Sequence, residues 1–304
     1  MMHSKLARVL GSAGSRGVRI CRPSSSLSPS LEKPLGGTVP PGNCAFGEEW
    51  SPATLVRKVS AGPNTEIYTF ALADASKPLG LSTCACLLAK GGDDEEGNPV
   101  VRPYTPISTN NLIGEMELMI KIYPGGKLGE HIASLPVGST MDFKHIPFNV
   151  KIQHPFRKKV GMICGGTGVT PMIQALHAVL GDPHNETEVR MLYGSRNAGD
   201  ILAGGTLDEW AAKSAGNFKV THVLSEEPEG NFLTRLFGSA WSGERGLIDE
   251  ARIAAHFPPP SPETSIFVCG PPAMYEVLCG PRTEKEVTGV LAKMGYSEEH
   301  VYKF

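Results

Sequence analysis

Between Ala53 and Lys144 the chain strings together short β-branched and aromatic runs with almost nothing of helical length between them, and from Lys159 strand-length runs alternate with helix-length ones. That switch constrains the fold more than any other feature. Strands joined by turns pair antiparallel, whereas strands joined by helices become parallel neighbours. Ala53–Ser60 and Thr65–Leu72 flank Gly62-Pro63-Asn64, a hairpin signature. Further strands are expected over Thr83–Ala89, Val100–Thr105, Glu115–Tyr123 and Ser139–Lys144, with a short helix after Lys127 and a solvated acidic loop at Gly91–Gly97. This half reads as an antiparallel barrel. In the second half, strands are expected at Val160–Cys164, Glu188–Tyr193, Phe218–Leu224 and Ser265–Cys269. Helices are expected at Pro171–Leu180, Thr206–Lys213, Asp249–His256, Ala273–Leu278 and Glu284–Met294. That order predicts a doubly wound parallel sheet.

A chain of 304 residues suits two such domains. A net charge of -2 leaves no broad basic field, which argues against a nucleic-acid partner. Seven cysteines, an odd number without disulfide spacing, agree with a reducing compartment. Neither iron–sulfur nor zinc spacing occurs, so no metal is expected. Cys84 and Cys86 form a C-x-C pair that faces one way if it lies in a strand, for packing rather than redox chemistry. Residues 1–31 hold Lys5, Arg8, Arg16, Arg19 and Arg22 and no acid. That is the composition of a mitochondrial transit peptide; a disordered basic tail on a cytoplasmic protein is the alternative. Residues 32–50, rich in Pro and Gly, read as a linker. No run approaches eighteen apolar residues, so no transmembrane anchor is expected, and His3 after Met1-Met2 removes the N-myristoylation signal. A monomer is expected.

Three motifs carry chemistry. Arg102-Pro103-Tyr104-Thr105-Pro106-Ile107-Ser108 puts a cation, a ring and small hydroxyls on one extended segment. In a strand, Arg102, Tyr104, Pro106 and Ser108 share a face. A flavin dinucleotide needs these groups for its pyrophosphate, its ring system and its polar edge; a proline-kinked edge strand carries the same residues. Cys164-Gly165-Gly166-Thr167-Gly168-Val169-Thr170-Pro171-Met172 follows an apolar run. Its glycines allow a ligand close to the backbone, and Pro171 costs no hydrogen bond in a first helical turn. It differs from the G-x-G-x-x-G fingerprint. Cys269-Gly270-Pro271-Pro272-Ala273-Met274-Tyr275 repeats the strand-to-helix context, where a buried strand-end cysteine is the alternative. Between the first two motifs, Gly125-Gly126 before a helix start exposes amides that favour a phosphate, or makes a plain turn.

In this order the motifs resemble the ferredoxin-reductase superfamily and, within it, the NADH-cytochrome b5 reductase family, over roughly Ala53 to Phe304. The resemblance implies a Greek-key β-barrel FAD domain over residues 51–152, followed by a doubly wound parallel-sheet NAD(P) domain over 159–304. It implies Arg102, Pro103, Tyr104, Thr105 and Ser108 around the flavin, with Thr105 bonding near its N5. Tyr123, Gly126, Lys127 and Leu128 belong to the element that cradles the pyrophosphate. Gly126-Lys127-Leu128-Gly129 departs from the family's Gly-Lys-Met-Ser at its last two positions, which keeps the amides and loses a hydroxyl. Lys121 matches a lysine associated with the nicotinamide nucleotide, against the alternative of a solvated strand lysine. Gly166, Thr167, Gly168, Thr170 and Pro171 would place the nicotinamide and the phosphates. Cys269 would lie beside nicotinamide C4 and aid hydride transfer without acting as a nucleophile, in the context of Gly270, Pro271 and Met274. Phe304 would pack near the flavin, against the alternative of a frayed terminus.

Ser195 and Arg196 match the place where the family holds the adenosine ribose. Arg196 favours a 2′-phosphate, whereas Glu226 and Glu227 oppose it, and Ser225 stands where NADH enzymes of the family carry an acid. NADH is therefore expected, with NADPH open. Leu81–Cys86 lacks a histidine that relatives carry. The implied activity is hydride transfer from NADH to FAD, then release of single electrons to cytochrome b5 or a similar haem protein. The alternatives are a ferredoxin- or quinone-type reductase, or a non-catalytic FAD electron-transfer subunit.

Overall fold

The computed structural model describes residues 43–146, 152, 154–226, 241 and 243–304. Residues 1–31, read as a targeting segment, lie outside them, as does the first part of the expected linker and Glu227.

The short runs of the first half form β1 (Ser51–Gly62), β2 (Thr65–Ala71), β3 (Leu87–Asp93), β4 (Pro99–Tyr104), β5 (Glu115–Lys121), helix α1 (Lys127–Ser134) and β6 (Thr140–His145). All strand pairs are antiparallel, in the order β4-β3-β6-β1-β2-β5. The last strand thus returns between β3 and β1 instead of continuing a meander. At the β1–β2 hairpin, Gly62 and Asn64 take φ of 145° and 51°, which a tight turn demands. Leu55, Phe70, Leu118 and Phe143 fill the interior.

The second half forms β7 (Lys159–Gly165), α2 (Val169–Leu180), β8 (Glu188–Ser195), α3 (Gly204–Lys213), β9 (Phe218–Leu224), β10 (Glu244–Arg245), α4 (Glu250–His256), β11 (Thr264–Cys269), α5 (Pro272–Leu278), α6 (Gly289–Lys293) and β12 (Val301–Lys303). The sheet is parallel throughout, in the order β10-β9-β8-β7-β11-β12. The chain winds outward from β7 to β10, then crosses back to place β11 on the other side of β7. The strand order therefore reverses between β7 and β11, the position where open α/β sheets leave a crevice at their carboxyl ends. Cys164 and Cys269 are direct partners at that edge.

Four expectations need correction. The strand expected from Thr83 starts at Leu87, because Cys84 takes a left-handed φ of 63° in a turn closed by Ala85 N–H to the Ser82 carbonyl. Cys84 and Cys86 therefore do not share a strand face. The helix expected from Glu284 is reduced to Gly289–Lys293. Ahead of it, the buried Lys303 ammonium donates to the carbonyls of Pro281, Glu284 and Glu286 at 2.8–3.0 Å and holds the segment as a loop. The end of the presumed linker packs on the barrel: Phe46 is buried against Phe143, and Ala45 N–H bonds the Leu79 carbonyl. Lys121, at the end of β5, is buried and ion-paired, so the solvated alternative fails.

One apolar cluster crosses the domain boundary. It joins Ile67, Ile107 and Met119 of the barrel to Met172, Ile173 and Leu176 of α2. Among the described residues no helix is long and apolar enough to cross a membrane.

Candidate functional site

A cavity of about 690 Å³ opens between the barrel and the carboxyl edge of the parallel sheet. Its size falls within the range of small-molecule and cofactor sites. Arg102, Pro103, Tyr104 and Thr105, at the end of β4, line the barrel wall. The Arg102 guanidinium is exposed and, among the described residues, donates only to its neighbour, the Val101 carbonyl, at 2.8 Å. Burial raises the Tyr104 phenol to about 12, partly offset by the positive charge of Arg102, so the ring stays neutral.

Lys121, Tyr123, Gly126, Lys127 and Leu128 line the next side. Helix α1 begins there without a side-chain cap, so its first amides are available to an anion. The Gly125 amide is not: it donates to Glu130 Oε1 at 2.7 Å.

The parallel sheet supplies the opposite wall. Gly165, Thr167, Gly168, Thr170 and Pro171 line it where β7 passes through a 3₁₀ turn (Gly166–Gly168) into α2. Cys269, Gly270 and Pro271 line it from the end of β11, and Phe304 closes one end. The two loops touch. A Cβ added to Gly168 would lie 2.1 Å from the Cys269 carbonyl oxygen, and one on Gly165 would lie 3.0 Å from Pro271 Cδ. Phe304 is buried; its N–H bonds the Val268 carbonyl, and its carbonyl accepts from Tyr275 Oη at 2.5 Å.

Five expected residues lie outside the cavity lining: Ser108, Gly166, Ser195, Arg196 and Met274. Ser108 Oγ accepts from the Glu117 amide at 2.9 Å and so serves the barrel. Gly166, at φ 54°, shapes the turn, and its carbonyl accepts from the buried Tyr193 hydroxyl at 3.1 Å. Met274 packs over Gly270, where a Cβ would meet its Cε at 2.3 Å. Ser195 ends β8 and Arg196 follows it; neither lines the cavity.

Sequence reasoning missed Cys84, Cys86, Met119 and Arg282 in the lining. Cys84 arrives because its turn seats on α2, its thiol donating to the Pro171 carbonyl at 3.2 Å. Burial pushes the Cys84 and Cys164 thiols up, so both stay protonated. Arg282 is carried in by the loop that Lys303 holds, a long-range effect with no local signal.

Asp200 was also missed. It ends the short turn Ala198–Asp200 after β8 and reaches across to the barrel. Lys121 Nζ stands 2.6 Å from Asp200 Oδ1, both side chains nine-tenths buried. Asn197 Nδ2 donates to Oδ2 at 2.9 Å, and Arg196 Nε lies 3.4 Å from the same oxygen. Lys121 holds this carboxyl below its ordinary range.

An apolar shelf with cations and uncapped amides beside it suits a planar ring system bearing a diphosphate. The glycine-lined wall facing it suits a second flat ligand. Known proteins agree. Residues 52–147 match the family model of the oxidoreductase FAD-binding domain, and residues 162–280 that of the oxidoreductase NAD-binding domain. The chain is similar to NADH-cytochrome b5 reductase 2 of Meyerozyma guilliermondii, 36% identical over 262 residues, with 85% of each protein covered. It is similar to NADH-cytochrome b5 reductase 2 of Debaryomyces hansenii, 34% identical over 303 residues, covering 98% of this chain and 95% of the relative. Among solved structures, the cytochrome b5 reductase domain of Ulva prolifera nitrate reductase superposes with a TM-score of 0.70 at 26% identity, over 84% of this chain and 97% of that one.

Proposed function

The chain belongs to the NADH-cytochrome b5 reductase family and is an FAD-dependent NADH oxidoreductase, and on that premise we propose that it passes electrons singly to a b-type cytochrome, cytochrome b5 first among them. The residues present fit FAD: a neutral, half-buried tyrosine beside a basic rim, and a helix start whose amides have no side-chain cap. When bound, FAD would supply the hydride-accepting and one-electron-donating chemistry that side chains lack.

The chain's own residues hold and orient. Tyr104 supplies the flat wall, Thr105 a hydroxyl beside it, and Arg102, Lys127 and the α1 amides charge for a diphosphate. The contact between Gly168 and Cys269 fixes the facing wall at the crevice where a dinucleotide enters. Phe304 and Pro271 keep that end of the cavity apolar.

The observation that carries the acceptor is the kinship over whole lengths with cytochrome b5 reductases. The exposed cation Arg282 at the cavity, which the diphosphate does not claim, supports it, because a b-type haem presents propionate carboxylates. The protein acts as a monomer in this reading, and residues 1–31 deliver it to mitochondria. Anaerobic stopped-flow tests the acceptor. Enzyme bleached with NADH should be reoxidised rapidly by oxidised cytochrome b5. Reoxidation by ferricyanide but not by cytochrome b5 refutes the assignment.

A further inference from the structure

The sheet fixes what passes near Asp200. β7 and β8 are parallel neighbours, with Gly165 opposite Gly194. In a doubly wound dinucleotide-binding sheet, a residue after the second strand reads the ribose 2′ position. An acid takes the free hydroxyl and an arginine accommodates a phosphate. Here the second strand ends at Ser195, and the arginine that follows is already engaged by a buried carboxylate.

We propose that Asp200 reserves the ribose site for a nucleotide without a 2′-phosphate, by engaging Arg196 and fixing a negative charge beside it. The proposal rests on the family reading that NADH binds at the carboxyl edge of this sheet. Lys121 holds one carboxylate oxygen and Asn197 the other, so the carboxylate stays in place, and the exposed Arg196 side chain meets it through Nε at 3.4 Å. A dianionic phosphate placed on Arg196 would share its guanidinium with a charge of like sign, which is discrimination by repulsion. Glu226, exposed, is held at the same edge through its N–H bond to the Arg196 carbonyl at 2.7 Å, and Ser225 contributes no charge. In this proposal Arg196, which the sequence offers as a partner for a 2′-phosphate, is engaged by Asp200 instead.

Calorimetric titration of the FAD-loaded protein with adenosine 2′,5′-bisphosphate and with 5′-AMP reads the preference directly, and anaerobic flavin reduction by NADPH and NADH reads it in turnover. In Asp200→Asn the ratio of the two dissociation constants should move about tenfold or more toward the bisphosphate, the worth of one freed charge-assisted contact. Arg196→Gln alone should move the wild-type ratio by less than about threefold, and in the Asp200→Asn background it should cancel the gain, which is the signature of two coupled residues. An unmoved ratio in an Asp200→Asn protein that keeps its FAD overturns the proposal. A large selective loss of bisphosphate affinity in Arg196→Gln overturns it too, and decides the matter if Asp200→Asn fails to fold. Failure of wild-type protein to bind 5′-AMP or to be reduced by NADH would instead sink the family reading beneath it.

Discussion

Gly168 lies so close to Cys269 that a Cβ on it would stand 2.1 Å from the Cys269 carbonyl oxygen and 2.5 Å from its carbon. Gly168 has φ -59°, which any residue adopts, so the glycine is required for space and not for conformation. Gly168→Ala should cost about 1–3 kcal/mol, because backbone on both sides has to yield. It should also slow flavin reduction while leaving FAD bound. Gly270→Ala meets mainly the flexible end of Met274 and should cost less. Thermal melts and single-turnover traces on both variants check the contrast; equal effects contradict it.

Arg102→Ala should weaken FAD retention. Among the described residues the exposed guanidinium has only a neighbouring carbonyl as partner, and it stands on the cavity wall where it can meet a diphosphate. A lost charge-assisted contact is worth about 1.5–3 kcal/mol, or at least tenfold in dissociation constant. The flavin-to-protein absorbance ratio after gel filtration measures it. Undiminished flavin would remove Arg102 from the site.

Cys269→Ala should keep FAD and slow the hydride step. The residue lines the cavity at the strand-order reversal, with its backbone pinned by Gly168. Reduction rates by NADH equal to those of the parent protein would leave Cys269 a packing residue.

Stability should fall on the acid side through His177. Burial lowers this imidazole from 6.5 to about 4; it lies in the α2 core, 4.8 Å from the Trp210 ring. A group with a depressed folded-state value stabilises fully above 6.5 and loses that contribution as pH falls toward 4. The loss amounts to about 3 kcal/mol at roughly 1.4 kcal/mol per unit. Urea denaturation at pH 7 and pH 4.5 should show the loss, and His177→Phe should flatten it. The same slope in both proteins would place the acid sensitivity elsewhere.

Removing residues 1–31 should leave FAD binding and NADH oxidation intact and abolish mitochondrial delivery. The segment has five basic residues and no acid. A fluorescent fusion of the full chain found in the cytosol contradicts the targeting reading.

The two halves and their strands were legible because periodicity and turn chemistry are local. Phe218–Leu224 was read to the residue, and the Pro63 turn by composition. Arg102–Thr105, Thr167–Pro171 and Cys269–Pro271 could be found because each is one continuous segment at a strand end. Asp200 could not, since its meaning depends on Lys121, seventy-nine residues away in another domain. Arg282 depends likewise on a lysine at the far end of the chain. Ser108 misled because alternation along a strand does not say which hydroxyl the barrel's own amides will claim.

The apolar cluster shared by Ile67, Ile107 and Met119 with Met172, Ile173 and Leu176 bears on how such a protein can be recombined. A chimera that takes its barrel from one relative and its parallel sheet from another inherits two unmatched halves of a single interior. Parents that pair different volumes across that seam should yield chimeras with loosened or strained cavities, even where every cofactor-facing residue is retained. Transplanting the seam residues together with the donor half should restore function more effectively than repairing the cavity wall, because the wall is only as well placed as the packing behind it.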